Sequence, residues 1–70
     1  MDKIKIKMWS VQTTGGQIIN DQEPQETFVV FNSAERAELA QKRGFTWDSD
    51  ANYYLTKTAA RKAIAWALSN

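Results

Sequence analysis

The stretch SAERAELA at residues 33–40 returns in altered form as TAARKAIA at residues 58–65. Each copy opens with a hydroxyl residue that can cap a helix. Each also follows a short run with the composition of a β-strand, residues 28–31 and 53–55. The near-repeat therefore predicts two strand-then-helix units that lie side by side.

The flanking sequence adds further strands. Residues 3–11 alternate lysine with apolar side chains over most of their length, as in a strand with one buried face, and Gly15-Gly16 marks a turn after them. Residues 45–47 and 53–55 flank the turn-rich residues 48–52, a pattern typical of a hairpin.

The helix limits are also visible. Asn32 or Ser33 is suited to cap the first helix, Gly44 to end it, and Thr56 or Thr58 to cap the second. Amphipathic helices must bury their apolar stripes, and one face of an antiparallel sheet would receive them. We therefore expect a single α+β domain spanning residues 1–70. Its predicted form is a two-layer sandwich of about four antiparallel strands with two helices on one face, in the order β-β-α-β-β-α.

Composition excludes several classes of function. The sequence has no cysteine and no histidine, so it lacks a thiolate metal site and the commonest general base. No apolar run approaches the ~18 residues of a membrane span. These features predict a cytoplasmic, non-enzymatic protein with no cofactor, no metal and no membrane contact.

Two pairs of acidic residues are candidates for acid–base chemistry. Asp48 and Asp50 lie in the predicted hairpin turn, and Glu35 and Glu38 lie in the first helix. Aspartate is favoured in turns and glutamate near helix starts. We therefore assign both pairs structural roles and predict no catalytic residue.

One side of the first strand is cationic. If the isoleucines of this strand face the helices, then Lys3, Lys5 and Lys7 line the opposite, open side of the sheet together with Trp9. Lysines around exposed rings are what single-stranded nucleic acids need, because phosphates pair with the ammonium groups and bases stack on the rings. A solvated strand face with no ligand would show the same pattern.

Tyr54 is expected on this open side, because Tyr53 and Leu55 are expected to share the buried side with Phe45 and Trp47. Further cations lie at the helix ends. The complete predicted nucleic-acid-binding set is Lys3, Lys5, Lys7, Trp9, Lys42, Arg43, Tyr54 and Lys57.

A protein interface is the alternative. Residues 27–31 are apolar on both faces, so that either Val29 and Phe31 or Phe28 and Val30 must point to the open side. We select Trp9, Val29 and Phe31 as the predicted interface. A homodimer that pairs its sheets face to face, or a partner protein, would cover such an apolar patch.

The sequence LAQKRGFTWDSDANYYL at residues 39–55 resembles HARP-like hairpin modules of DNA-handling and mobile-element proteins. Gly44, Trp47, Asp48 and Tyr53-Tyr54 match that pattern, whereas Phe45 replaces a small residue and Tyr53 stands where tryptophan is common. The resemblance implies an accessory role in contacting nucleic acid. We therefore expect a small bacterial or phage accessory protein that binds nucleic acid, preferentially single-stranded.

Overall fold

The computed structural model describes residues 3–69 and contains two helices and an antiparallel sheet, which confirms the α+β class. A two-residue strand follows the first turn, so the observed order has one strand more than expected. The elements are β1 (Ile4–Thr14), β2 (Gln17–Ile18), β3 (Gln25–Phe31), α1 (Ala34–Arg43), β4 (Phe45–Trp47), β5 (Ala51–Tyr54) and α2 (Lys57–Ser69).

The long strand β1 lies at the centre of the sheet. β3 pairs with its residues 4–10, β5 pairs with its residues 9–12, and β4 pairs with the far side of β5. β2 closes a tight hairpin at the end of β1, where Gly15 and Gly16 adopt positive φ values of 56° and 80°. Glycine reaches this region without steric cost, which explains the Gly-Gly turn.

Hydroxyl groups begin both helices. The Ser33 Oγ accepts a hydrogen bond from the Arg36 N–H at 3.2 Å, and the Thr56 Oγ1 accepts one from the Ala59 N–H at 3.0 Å. Gly44 ends α1 in the left-handed conformation, with φ of 85°. Of the residues that the sequence offered as caps, the structure therefore uses Ser33, Thr56 and Gly44.

The helices lie on opposite faces of the sheet. Met8 packs with α1 residues in one buried cluster, and Val11 packs with Ala60 and Ile64 of α2 in another. Met8 and Val11 are an odd number of residues apart on one strand, so their side chains leave opposite faces. The expectation of a two-layer sandwich with both helices on one face is therefore wrong, because Val11 and its neighbours on the lysine-bearing side of β1 also need cover.

The β4–β5 hairpin also differs from expectation. Phe45 lies opposite Tyr54 and Trp47 lies opposite Asn52, so Phe45 and Trp47 share a face with Tyr54 rather than with Tyr53. The turn is the physical cause, because the Asp48 Oδ1 accepts hydrogen bonds from the Asp50 and Ala51 N–H groups at 2.8 and 2.9 Å. This tight turn makes the connection shorter than residues 48–52 and sets the register.

Candidate binding face

The α2 side of the sheet is only partly covered. α2 packs over Val11 and the neighbouring Trp9 and Tyr54, at the carboxyl-terminal half of β1. The amino-terminal half of β1 and the adjoining β3 remain exposed on this side. We call this surface the open face; it consists of Lys3, Lys5, Lys7, Phe28 and Val30.

Cations alternate with apolar groups across the open face. Lys5 lies opposite Val30 and Lys7 lies opposite Phe28, and directly opposite residues project to the same side. Phe28 is 61% exposed and Val30 is 46% exposed. These adjacent side chains form an exposed apolar patch, and such patches often mark binding sites.

The lysines differ in their ionic partners. The Lys7 Nζ lies 3.6 Å from the Glu26 Oε2, and both side chains are more than half exposed. Within residues 3–69, no carboxylate lies within ion-pair distance of Lys3 or Lys5. The open face therefore carries a net positive charge, because one carboxylate faces three ammonium groups.

Trp9 forms the boundary between the open face and α2. Its half-buried ring packs against the cluster of Val11, Ala60 and Ile64, and the Lys57 Nζ lies 5.4 Å from the ring centroid. The expectation that Trp9 offers a free stacking ring is wrong, because the first turn of α2 places a cation over it. Lys57 joins the edge of the open face through this contact.

The Tyr54 side chain also contacts neighbouring residues of its own chain. It lies opposite Trp9 on the neighbouring strand, as expected, but it is half-buried and its ring stacks on Phe45 at a centroid distance of 6.1 Å. Its hydroxyl accepts a hydrogen bond from the Asn52 Nδ2 at 3.4 Å. Tyr54 therefore supports the hairpin and contributes little free surface for a base.

Lys42 and Arg43 lie away from the open face. Both belong to the last turn of α1, which packs on the opposite side of the sheet. The Arg43 guanidinium lies 5.9 Å from the ring centroid of Trp47, at the β4 edge. The structure thus separates the predicted cationic set into Lys3, Lys5, Lys7 and Lys57 on one side and these two residues on the other.

The predicted interface pair Val29 and Phe31 is wrong. Phe31 is only 8% exposed, and both side chains pack in the α1 cluster. Phe28 and Val30 occupy the exposed positions instead. Because residues 27–31 are equally apolar on both faces, alternation alone could not choose between the two pairs; the pairing of Phe31 with Ile4 decides it.

The acidic turn has a structural role in the hairpin. The Tyr53 hydroxyl donates a hydrogen bond to the Asp48 Oδ2 at 2.8 Å. Burial, followed by this hydrogen bond, raises the pKa of Tyr53 to about 12. The Asp50 backbone N–H, followed by the Tyr53 hydroxyl, lowers the pKa of the Asp48 carboxyl. No acidic cluster arranged to hold a metal ion occurs within the described residues.

A groove lies farther along the same side of the sheet, between α2 and the β1–β2 hairpin. Its walls are uncharged, with Tyr54 and Asn52 on the sheet and Ala63, Trp66 and Leu68 on the helix. Such a lining offers no cation to neutralise a phosphate, so the groove is a poorer candidate for nucleic-acid contact than the open face.

No protein-family model, curated protein or solved structure matches the chain. Across residues 3–69 neither helix has the length and apolar character needed to cross a bilayer. The resemblance of residues 39–55 to HARP-like modules remains a prediction.

Proposed function

We propose that the protein is a non-enzymatic module that binds single-stranded nucleic acid through the open face. The observation that supports this most directly is the alternation of Lys5 and Lys7 with the exposed side chains of Phe28 and Val30. Aromatic rings within a cationic surface bind single strands by stacking on bases while lysines neutralise phosphates.

The geometry of β1 supports an extended ligand. Lys3, Lys5 and Lys7 follow one another at every second residue, which corresponds to a spacing of roughly 6.5 Å along a strand. Ammonium groups in a line can each meet a separate phosphate of an extended backbone. In a duplex the bases stack on one another inside the helix, so the Phe28 ring could not stack on them.

The proposed surface differs from the predicted one in its aromatic residue. Phe28 replaces Trp9 and Tyr54 as the stacking ring, because Trp9 is covered by Lys57 and Tyr54 by Phe45. We retain as proposals the setting that the sequence suggests, a cytoplasmic bacterial or phage accessory protein.

Binding of a fluorescently labelled single-stranded oligonucleotide, followed by anisotropy in rising salt, tests this proposal. With three lysine–phosphate contacts the slope of log K against log[salt] should be about −2, and Lys5→Gln should reduce its magnitude by about 0.7. Phe28→Ala should weaken binding by about 5- to 150-fold, the loss of one stacked base.

Matched controls lie on the α1 side. Lys42→Gln removes an equal charge, and Leu39→Ala removes an exposed apolar side chain that is 46% accessible. Both should leave binding unchanged. The proposal fails if the wild-type protein does not bind in dilute buffer, or if Lys42→Gln weakens binding as much as Lys5→Gln.

A protein partner is the second candidate, favoured by the exposure of Phe28 and Val30. A segment with acidic and apolar side chains would match the open face. Binding of that kind would persist after nuclease treatment and lose affinity on Phe28→Ala in an oligonucleotide-free pull-down, while the labelled oligonucleotide would not bind the wild type; this separates it from the first proposal.

A further inference from the structure

The outer edge of β3 pairs with no other strand within residues 3–69. β3 pairs with β1 on its inner edge, and β1 is flanked on its other side by β5. An unpaired strand edge presents a row of N–H and C=O groups that can accept another strand.

Hydrogen bonds of β1 show which backbone groups of β3 point outward. The Gln12 carbonyl accepts from the Ile19 N–H on the β2 side, while the Thr13 N–H donates to the Asp50 carbonyl beside β5. Backbone groups alternate in direction along a strand, so even-numbered residues of β1 face away from β5 and toward β3.

The same alternation continues into β3. Val29 lies opposite the even-numbered Ile6, so its N–H and C=O pair with β1. The N–H and C=O groups of Glu26, Phe28 and Val30 therefore point to the free edge. Phe28 and Val30 are also the exposed apolar residues of the open face.

The two edges of the sheet are protected differently. The β4 edge is only three residues long, and short edge strands resist pairing. β3 is seven residues long, and its sequence QETFVVF contains neither proline nor lysine. Its one charged residue, Glu26, forms an ion pair with Lys7 of its own chain. β3 thus lacks the features that usually prevent strand addition.

From this edge we infer that two copies of the chain pair through antiparallel β3 strands and join their sheets into one. The outward groups allow only registers that pair even-numbered residues with each other. With Val29 opposite Val29 of the second copy, Phe28 lies opposite Val30 of that copy. Thr27 then meets Phe31 and Glu26 meets Asn32, so apolar residues meet across the strands beside Val29.

The two neighbouring registers are less complementary. If Phe28 lay opposite itself, Glu26 of each copy would lie opposite Val30 of the other, placing a carboxylate against an apolar side chain. If Val30 lay opposite itself, Phe28 would lie opposite Asn32, beyond the end of β3. Self-complementarity in one register favours a second copy over an unrelated strand, because a symmetric pair uses the same residues twice.

The pairing would also enlarge the proposed nucleic-acid surface. Opposite residues of paired strands share a face, so the two open faces would lie side by side on one surface of the joined sheet. This consequence rests on the proposed function, but the dimer itself does not.

Cysteine cross-linking tests the dimer without any nucleic acid, because the natural chain contains no cysteine. Opposite residues of a non-hydrogen-bonded pair have Cα atoms about 4.5 Å apart, within disulfide range. Val29→Cys should therefore form a disulfide-linked dimer under mild oxidation. Gln25→Cys, on the same face of β3 but far from its own copy, should remain monomeric on a non-reducing gel.

Two outcomes overturn the inference: no linked dimer from Val29→Cys, or equal linkage from Phe28→Cys or Gln25→Cys. Sedimentation equilibrium provides a second measurement on proteins without introduced cysteine. The wild type should associate as its concentration rises, and Val30→Lys, which places a charge on the exposed edge, should reduce the association at least tenfold. A wild type that stays monomeric at the highest concentration excludes the pairing, as does a Val30→Lys variant that associates normally.

Discussion

The two sides of the sheet differ in how much of their length a helix covers. On the α1 side, Ile4, Ile6 and Met8 lie in one continuous cluster beneath the helix, together with Phe31. On the α2 side, apolar cover is limited to the Val11 cluster, and lysines occupy the alternate positions farther toward the amino terminus. Truncating apolar side chains anywhere along the α1 side should therefore lower the stability. On the α2 side, only truncations beneath the helix should do so.

The largest difference is expected between Met8→Ala and Phe28→Ala. Met8 is fully buried, so its truncation should lower the free energy of unfolding by about 2–5 kcal/mol. Phe28 is 61% exposed on the other side, and its truncation should change stability by less than about 1 kcal/mol. Urea denaturation followed by circular dichroism measures both.

A 70-residue domain has little stability to lose, so Met8 is also replaced by a residue of similar volume. Met8→Leu keeps most of the volume and should cost less than about 1.5 kcal/mol, so a larger loss from Met8→Ala reports the cavity that truncation leaves. Equal losses from Met8→Ala and Phe28→Ala, both of about 2 kcal/mol or more, would show that the open face is buried and would remove the asymmetry between the two sides.

Trp9→Ala tests the comparison at the boundary of the open face, where the ring is half-buried. Full burial of tryptophan would predict a loss of about 3–5 kcal/mol, but this ring is half-buried beneath Lys57, so we expect about 2 kcal/mol. Lys57→Gln removes only the cation over the ring and should cost about 0.5–1 kcal/mol.

Urea denaturation of these two variants and of the wild type measures how much the Trp9 ring and its contact with Lys57 contribute to stability. A negligible loss from Trp9→Ala would place the indole outside the α2 contact. It would then be available as a stacking ring, as the sequence alone suggested.

Local signals in the sequence were sufficient for the elements themselves. The alternation of lysine with isoleucine predicted β1, and the hydroxyl and glycine residues at Ser33, Gly44 and Thr56 predicted helix limits that the structure confirms. Each of these signals acts within a few residues along the chain, where backbone geometry and side-chain type are directly linked.

Relations between elements could not be predicted in the same way. The alanine-rich stripe of α2 shows that one side of the helix is buried, but not which face of the sheet covers it. The face of β3 was equally undetermined, since Phe28 and Phe31 are equally apolar. Of the candidate site, the lysine row followed from alternation, whereas the contact of Lys57 with Trp9 depends on where α2 packs.

The adjacent tyrosines Tyr53 and Tyr54 face opposite sides of the sheet, which offers a spectroscopic test of the hairpin register. Tyr54→Phe leaves Tyr53 as the only tyrosine, and alkaline titration of its ultraviolet absorbance should give a pKa of about 12. Because this pKa is raised above the value near 10 of an unfolded chain, the contribution of Tyr53 to stability is intact below pH 10. It should be lost as the pH rises from about 10 to about 12.

Asp48→Asn in the same background separates the two causes of this shift. Burial is the larger cause and remains, while the carboxylate that accepts the hydrogen bond from the Tyr53 hydroxyl is removed, so the pKa of Tyr53 should fall toward 10 without reaching it. A pKa near 10 already in Tyr54→Phe would mean that Tyr53 is neither buried nor hydrogen-bonded to Asp48. The turn that fixes the β4–β5 register would then be different, and Phe45 and Trp47 would have to be assigned to the α1 side of the sheet.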